Sequence, residues 1–128
     1  MIVAGIGCRR GASAKAIMAA IEAALDHSGL AKGVVDIIAT AASKGGEPGI
    51  SDVAAALGLP LVLVAQHDLE AAAARSATRS ERVIALTGVP SLAEAAALAA
   101  GGAAARLVAP RIALGPATCA LADTGAAP

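Results

Sequence analysis

Apolar runs and one helical repeat alternate over the first forty or so residues of the chain. The continuous run Ile2–Ile6 predicts a short buried strand. After a glycine-rich turn, Ser13 predicts the start of a helix that Gly29 ends, and Val34–Thr40 has the β-branched character of a second strand. A helix between two strands predicts a parallel pair with a right-handed crossover. Within that helix the apolar side chains recur at every fourth position, at Ile17, Ile21 and Leu25.

The next stretch predicts a long loop, a short helix and a third strand. Ala41–Gly49 is polar and glycine-rich, and it exceeds the usual connection of about 4–6 residues. Ser51 is then expected to cap a helix over Asp52–Leu57 that ends at Gly58. Leu59–Ala65 is a continuous apolar run, which is typical of a buried parallel strand.

The pattern then becomes helical. Glu70–Ala74 favours a helix and Arg75–Arg79 a polar turn, whereas Ser80–Leu86 is compatible with either a helical turn or a strand. Ser91 and Glu94 have the spacing of a capping box, which predicts a helix over Leu92–Ala100.

The last strands complete a layered α/β domain. Arg106–Leu114 and Ala117–Leu121, separated by Gly115-Pro116, predict a closing β-hairpin. The fold class is therefore α/β, a single layered domain over residues 1–122 with a mostly parallel central sheet flanked by helices and a C-terminal β-hairpin. Residues 123–128 are expected to form a frayed tail.

Composition excludes several function classes. The 128 residues carry a formal net charge of zero, so the chain has no basic excess for nucleic acid. The longest apolar stretches, such as Leu59–Ala65 and Ala95–Ala105, are too short or too glycine-broken to span a bilayer, which takes about 20 residues. No basic region precedes the N-terminal apolar residues, and two cysteines make no disulfide framework. We expect a cytoplasmic protein without nucleic-acid or membrane partners.

The absence of Phe, Tyr and Trp limits how a ligand can be held. The core must consist of Val, Ile, Leu and Ala, and no aromatic ring can stack on a flat ligand. Such a ligand would lie on aliphatic side chains and be held by a charged rim. The alanine-rich surface is compatible with a homodimer.

The predicted topology places a ligand site beyond the carboxyl ends of the strands. Gly5, Gly7 and Gly11 are expected to allow a positive φ or a close approach to a ligand. Arg9 and Arg10 lie at a helix N-terminus, where the dipole disfavours cations, and this mismatch predicts a bound anion. Three loops are expected to share this edge, namely Gly7–Gly11, Thr40–Gly49 and Gln66–Asp68.

Motifs in a fixed order resemble the cobalamin biosynthesis family CobE, which is similar to the C-terminal domain of CbiG. The match spans about Ile2 to Ala122. The motifs are Gly5-Ile6-Gly7-Cys8-Arg9-Arg10-Gly11, then Ala39-Thr40 with Lys44, Glu47 and Gly49, then Gly88-Val89-Pro90-Ser91-Leu92-Ala93-Glu94-Ala95-Ala96-Ala97-Leu98, and finally Thr118 with Ala120.

The resemblance implies a role in building the corrin ring, with a precorrin or cobalt-precorrin as ligand. CbiG proteins are associated with opening a ring lactone in the anaerobic route, and CobE belongs to the aerobic route. The chain looks like the stand-alone CobE type, since no further N-terminal region precedes the match. Corrin precursors are flat rings edged with acetate and propionate carboxylates, which agrees with a site of arginines and aliphatic walls.

Two residues are candidates for catalysis. Cys8 lies where a helix N-terminus and cations are expected to lower its pKa, although a small residue packed in a tight turn is the alternative. Glu47 is the best available general base if the chemistry is hydrolysis, and a surface pair with Lys44 is its alternative.

Ser91 and Glu94 have a complete structural explanation as a capping box, although the helix N-terminus they build can face a carboxylate. The substrate-binding candidates are Gly7, Cys8, Arg9, Arg10, Gly11, Thr40, Lys44, Glu47, Ser91 and Glu94.

No cofactor or metal site is predicted. The glycines from Gly5 to Gly11 have the wrong spacing for a dinucleotide fingerprint, and the second strand ends in Thr40 rather than an acid. His67 has no second histidine nearby, His27 matches a helix C-terminus, and Cys119 is expected in the core.

The leading hypothesis is a protein that binds and helps process a precorrin. A lactone hydrolase and an accessory subunit of another corrin-pathway enzyme, without a ligand, are the alternatives.

Overall fold

A six-stranded sheet separates two helical layers. The computed structural model describes residues 1–75 and 91–125. The strands are β1 (Ile2–Cys8), β2 (Val35–Ala41), β3 (Leu61–Val64), β4 (Arg106–Leu107), β5 (Ile112–Leu114) and β6 (Ala117–Asp123). The helices are α1 (Ala14–Ser28), α2 (Pro48–Leu57), α3 (Gln66–Ala72) and α4 (Leu92–Gly101), with 3₁₀ turns at Ala42–Lys44 and Ala73–Arg75.

The sheet order is β3-β2-β1-β6-β4, and β5 pairs with β6. Strands β1, β2 and β3 are parallel, whereas β6 runs antiparallel to β1, β4 and β5. This arrangement confirms the predicted α/β class with a mostly parallel centre. Because Cys8 pairs with Ala117, the carboxyl end of β1 and the start of β6 lie at the same edge of the sheet.

The termini of α1 follow from its capping residues. The Ser13 hydroxyl accepts a hydrogen bond from the Ala16 N–H at 3.1 Å, which satisfies one of the free donors of the first turn. Gly29 ends the helix in the left-handed conformation, with φ of 70°. Both boundaries were predicted, and both are confirmed.

Three predicted boundaries in the middle of the chain are wrong. Helix α2 begins at Pro48, before the predicted cap Ser51, because proline has a fixed φ that favours the first helical position. Helix α3 begins at Gln66, so the predicted loop Gln66–Asp68 forms its first turn. Strand β3 is shorter than predicted and lies at the end of the strand order, with Leu63 48% exposed. A continuous apolar run does not distinguish an edge strand from a central one.

The C-terminal region confirms the hairpin but divides its first arm. Strands β5 and β6 meet at the predicted turn Gly115-Pro116, where Leu114 pairs with Ala117. The predicted arm Arg106–Leu114 forms two short strands, and Pro110 between them has no N–H for a ladder bond. Strand β6 continues to Asp123, the residue at which the tail was expected to begin. Residues 126–128, most of the predicted turn Arg75–Arg79 and all of Ser80–Leu86 lie outside the described residues.

The two layers pack with different kinds of side chains. Helices α1 and α2 cover one face of the sheet with large aliphatic residues, among them the fully buried Ile17 and Ile50. Helix α4 covers the other face with alanines, all at most 1% exposed, at positions 93 and 95–97. No helix of the described residues is long and apolar enough to cross a membrane.

Gly5 sets the distance between α4 and the sheet. A Cβ atom at this position would lie 2.1 Å from the Ala93 carbonyl oxygen and 2.8 Å from the Ala97 Cβ. The φ of Gly5 is not positive, so the glycine is required for helix packing rather than for a turn. The expectation that Gly5 gives conformational freedom or approaches a ligand is therefore wrong, because the backbone of α4 occupies that space.

We expect Gly5→Ala to destabilise the fold by about 3 kcal/mol or more, since the overlap is with main-chain atoms that cannot rotate away. Urea unfolding followed by circular dichroism measures the change. Gly46→Ala is the matched control, because a Cβ at Gly46 meets nothing within 4 Å. Equal stability of the two variants would contradict the packing role of Gly5.

The buried thiol of Cys119 predicts a loss of stability at high pH. Burial raises the pKa of this thiol from the ordinary 9.0 to about 12, so the folded protein keeps the proton that the unfolded chain releases. The free energy of unfolding should therefore fall by about 1.4 kcal/mol per pH unit above pH ~9. Unfolding of the wild type and of Cys119→Ala at pH 9.0 and 10.5 tests this, because every other titrating group is shared. Parallel pH dependences would refute it.

Candidate functional site

Two loops meet at the carboxyl edge of the sheet. The Gly11 N–H, in the turn between β1 and α1, donates to Glu47 Oε1 at 2.7 Å, and Glu47 ends the loop before α2. A Cβ at Gly49, in the first turn of α2, would lie 2.3 Å from the Ala12 carbonyl oxygen. The predicted convergence of the first two loops is thus present, and the N-termini of α1 and α2 lie side by side.

Positive charge collects around this junction. Arg9 and Arg10 are exposed, and neither guanidinium has a hydrogen bond or an ion pair with the residues that the structure describes. Lys44, half-buried, precedes Glu47 on the neighbouring loop. The first turns of α1 and α2 contain no acidic residue, and the acidic Glu47 precedes the first turn of α2 as its N-cap residue. The surface therefore favours an anion.

The third predicted loop is less closely connected to the other two. His67 and Asp68 follow β3 at the same edge, but the His67 Nε2 pairs with its chain neighbour Asp68 at 3.3 Å, and both side chains are mostly exposed. Across residues 1–75 and 91–125, no three His, Cys, Asp or Glu side chains converge in a way that could hold a metal ion.

Cys8 differs from the sequence expectation. Burial raises the pKa of its thiol; Lys44 acts in the lowering direction and Glu47 in the raising direction, and the net shift is upward. The expectation that helix N-terminus and cations lower this pKa is wrong, because the loss of hydration outweighs the attraction of the thiolate to Lys44. A thiol that stays protonated at neutral pH is a poor nucleophile.

Three predicted binding residues have fully buried side chains that bond to the protein itself. The Thr40 hydroxyl donates to the Ile6 carbonyl oxygen at 2.8 Å and joins β2 to β1. The Ser91 hydroxyl accepts from the Glu94 N–H at 3.4 Å, which confirms the predicted N-cap of α4. Glu94 Oε2 accepts from the Arg111 N–H at 3.0 Å, so this carboxylate also holds the chain that leads into β5.

The remaining candidates are backbone positions. Gly7 lies within β1, and its carbonyl oxygen accepts from the Thr118 hydroxyl at 3.1 Å. A Cβ at Gly7 would lie 2.7 Å from that hydroxyl oxygen, so the glycine makes room for β6. Gly11 has a φ of 78°, the positive value that glycine was expected to allow in this turn.

Sequence patterns missed the role of Arg75. Its Nη1 donates to the carbonyl oxygens of Gly102 and Ala105 at 3.1 and 3.0 Å, and its Nη2 reaches Leu98 O at 3.4 Å. The guanidinium therefore adds hydrogen bonds to carbonyls at and just beyond the C-terminus of α4, where the dipole favours a cation. A basic residue this far from the helix in the sequence gives no local signal of that role.

Three cavities among the described residues are lined by residues other than Arg9, Arg10 and Lys44. Volumes of about 350, 490 and 200 Å³ are lined mainly by alanine, glycine and aliphatic residues. Each contains one basic and one acidic side chain, so their charges balance. The exposed Arg9 and Arg10 and the half-buried Lys44 lie on the two loops of the junction, so an anion is better held there than in these cavities. The charged pairs in the cavities are Arg75 with Asp68, Arg106 with Asp123, and Lys32 with Glu22.

Comparisons with known proteins agree on one family. Residues 2–122 match the family described as cobalamin synthesis G C-terminus. The chain is 37% identical over 121 residues to Protein CobE from Sinorhizobium sp, covering 94% of this chain and 79% of that protein. The crystal structure of CobE, from the cobalamin (vitamin B12) biosynthetic pathway, has a TM-score of 0.89 at 35% identity, covering 95% of this chain and 89% of that one. The cobalamin biosynthesis protein chiG from Agrobacterium tumefaciens str. C58 has a TM-score of 0.78 at 49% identity, over 98% of this chain and 100% of that one.

The reactivity of Cys8 should reflect the two charges beside it. We expect slow alkylation by iodoacetamide at pH 7.5, slower still in Lys44→Ala and faster in Glu47→Gln, because Lys44 lowers and Glu47 raises the pKa of this thiol. Mass spectrometry separates modification at Cys8 from that at the buried Cys119, which serves as an internal control. A Lys44→Ala variant that reacts faster than the wild type would contradict this assignment of the charges.

Proposed function

The chain belongs to the cobalamin synthesis G C-terminus family and is a cobalamin biosynthesis protein of the CobE/CbiG type, and we propose that it binds a precorrin-type tetrapyrrole and helps process it. The proposed site is the carboxyl edge of the sheet, at the junction of the β1–α1 turn and the loop before α2. The ligand would be held there by its carboxylate side arms.

One observation carries the proposal. Arg9 and Arg10 are exposed and have no ionic partner among residues 1–75 and 91–125, and Lys44 lies on the loop that Glu47 joins to theirs. A guanidinium binds a carboxylate through two parallel hydrogen bonds, and a pair of them matches a ring edged with acetate and propionate groups. Such a ring is flat, and an open, charged surface suits its carboxylate-bearing edge.

The neighbouring helix ends support the same chemistry. Helices α1 and α2 have 15 and 10 residues, and both begin at this junction without acidic residues in their first turns. The partial positive charge at each N-terminus adds to the field of the cations. Cations placed there lower the stability of the empty protein, and a bound polyanion would remove that repulsion.

A ring-lactone hydrolase is the second candidate, and two observations make it weaker. The raised pKa of Cys8 opposes a thiolate nucleophile. Glu47, the candidate general base, has its Oε1 in a hydrogen bond with the Gly11 N–H. We therefore place binding ahead of hydrolysis. Other corrin-pathway enzymes that supply or accept the ring are proposed partners, and a homodimer is compatible with the alanine-rich surface.

The test is an absorbance titration with a corrinoid that carries free acetate and propionate side arms. We expect saturable binding by the wild type and at least a tenfold weaker affinity, about 1.4 kcal/mol, for Arg9→Ala/Arg10→Ala. Arg106→Ala controls for the loss of an exposed arginine far from the junction, and the same ring with amidated side arms should bind poorly to the wild type.

Two outcomes would overturn the proposal. Equal affinity for the acid and amide forms of the ring would remove the role of carboxylate recognition. Failure of the folded wild type to bind the ring at all would favour an accessory subunit without a ligand.

A further inference from the structure

Glu47 uses its side chain in an unusual way for a residue that begins a helix. It is the N-cap residue of α2, with φ of −79° and ψ of 110°, yet its carboxylate makes no capping hydrogen bond to that helix. Glu47 Oε1 instead accepts from the Gly11 N–H at 2.7 Å, across 36 positions of sequence. A distance this short is typical of a charge-assisted bond between an amide and a carboxylate.

The Gly11 amide remains within reach of solvent. Gly11 is exposed, and a Cβ placed on it would have no atom within 4 Å, so the space beside this backbone is open. Its positive φ of 78° belongs to the turn between β1 and α1. A second carboxylate could therefore approach this N–H once Glu47 moves away.

The surroundings of the Glu47 carboxylate are those that the proposed ligand would meet. Arg9 and Arg10 directly precede Gly11 in the sequence, and Lys44 and Glu47 both act on the pKa of the Cys8 thiol, with opposite signs. The carboxylate of Glu47 thus accepts from the amide of the residue that follows Arg9 and Arg10 in the chain. A propionate or acetate side arm has the same chemical group.

We propose that the Gly11 N–H is a subsite for one carboxylate side arm, and that Glu47 occupies it in the empty protein as an internal competitor which the ligand displaces. This inference rests on the proposed function, since it assigns one side arm of the same ring. The displaced Glu47 remains at the N-terminus of α2, where the helix dipole favours a negative charge and reduces the cost of its release.

The competition makes a quantitative prediction about affinity. If Glu47 fills the subsite for about 90% of the time, the apparent affinity of the ligand is reduced about tenfold, because only the open fraction can bind. Glu47→Ala should then lower the Kd of the carboxylate corrinoid by up to about tenfold. Glu47→Gln should give a smaller decrease, since the neutral amide oxygen can still accept from Gly11 but more weakly.

The experiment combines two probes with a matched control. Absorbance titration gives the Kd for the corrinoid, and the ¹H–¹⁵N signal of Gly11 reports titration with propane-1,2,3-tricarboxylate. Asp52→Asn is the control for net charge, because Asp52 is an exposed carboxylate further along α2. We expect both probes to bind more tightly to Glu47→Ala than to the wild type, with Asp52→Asn close to the wild type.

Each other outcome is decisive. Unchanged affinity in both Glu47 variants, alongside the loss of binding in Arg9→Ala/Arg10→Ala, would overturn this inference and leave the proposed function standing. Weaker binding in both variants would show that Glu47 assists the ligand instead of competing with it. If neither probe bound to any folded variant and the Gly11 signal did not move, the inference and the proposed function would fail together.

Discussion

The direct contact of the α4 main chain with β1 determines how this fold is built. At Gly5 there is no room for even one methyl group, because the backbone of α4 occupies that space. The alanines of α4 continue the contact on both sides, so the helix lies closer to the sheet than leucine or isoleucine would allow. This approach also places the first turn of α4 near Gly7, at the same edge where the β1–α1 turn begins. Helix α4 therefore has its N-terminus at the same edge of the sheet as the N-termini of α1 and α2.

Local signals predicted the elements whose boundaries depend on the nearest residues. Ser13 and Gly29 fix α1 because capping needs only a hydroxyl and a flexible φ, and both act within a few positions. The start of α2 was misplaced because Pro48 and Ser51 are both plausible first residues. The position of β3 at the end of the strand order, and the long-range role of Arg75, follow from tertiary contacts that no local window contains.

The candidate site shows the same division between sequence and tertiary structure. The cations at the β1–α1 turn could be found from residue type and topology, because cations at a helix N-terminus are a mismatch visible in the sequence. The burial of the Thr40 and Glu94 side chains could not be predicted from the sequence, because each side chain bonds to a main-chain group more than fifteen residues away. The pKa of Cys8 could not be found either, because charge is readable from sequence whereas burial is not. The buried polar residues therefore support the edge, and the exposed ones carry its charge.

The aliphatic character of both layers also determines the optical properties of the protein. With no Trp, Tyr or Phe in the chain, the polypeptide contributes almost nothing to absorption or emission in the near ultraviolet. Any chromophore held at the sheet edge would therefore be observed against a dark background, with no indole or phenol emission to overlap its bands. The absence of aromatic side chains therefore lets the absorption and emission bands of a coloured ligand be recorded without a protein contribution.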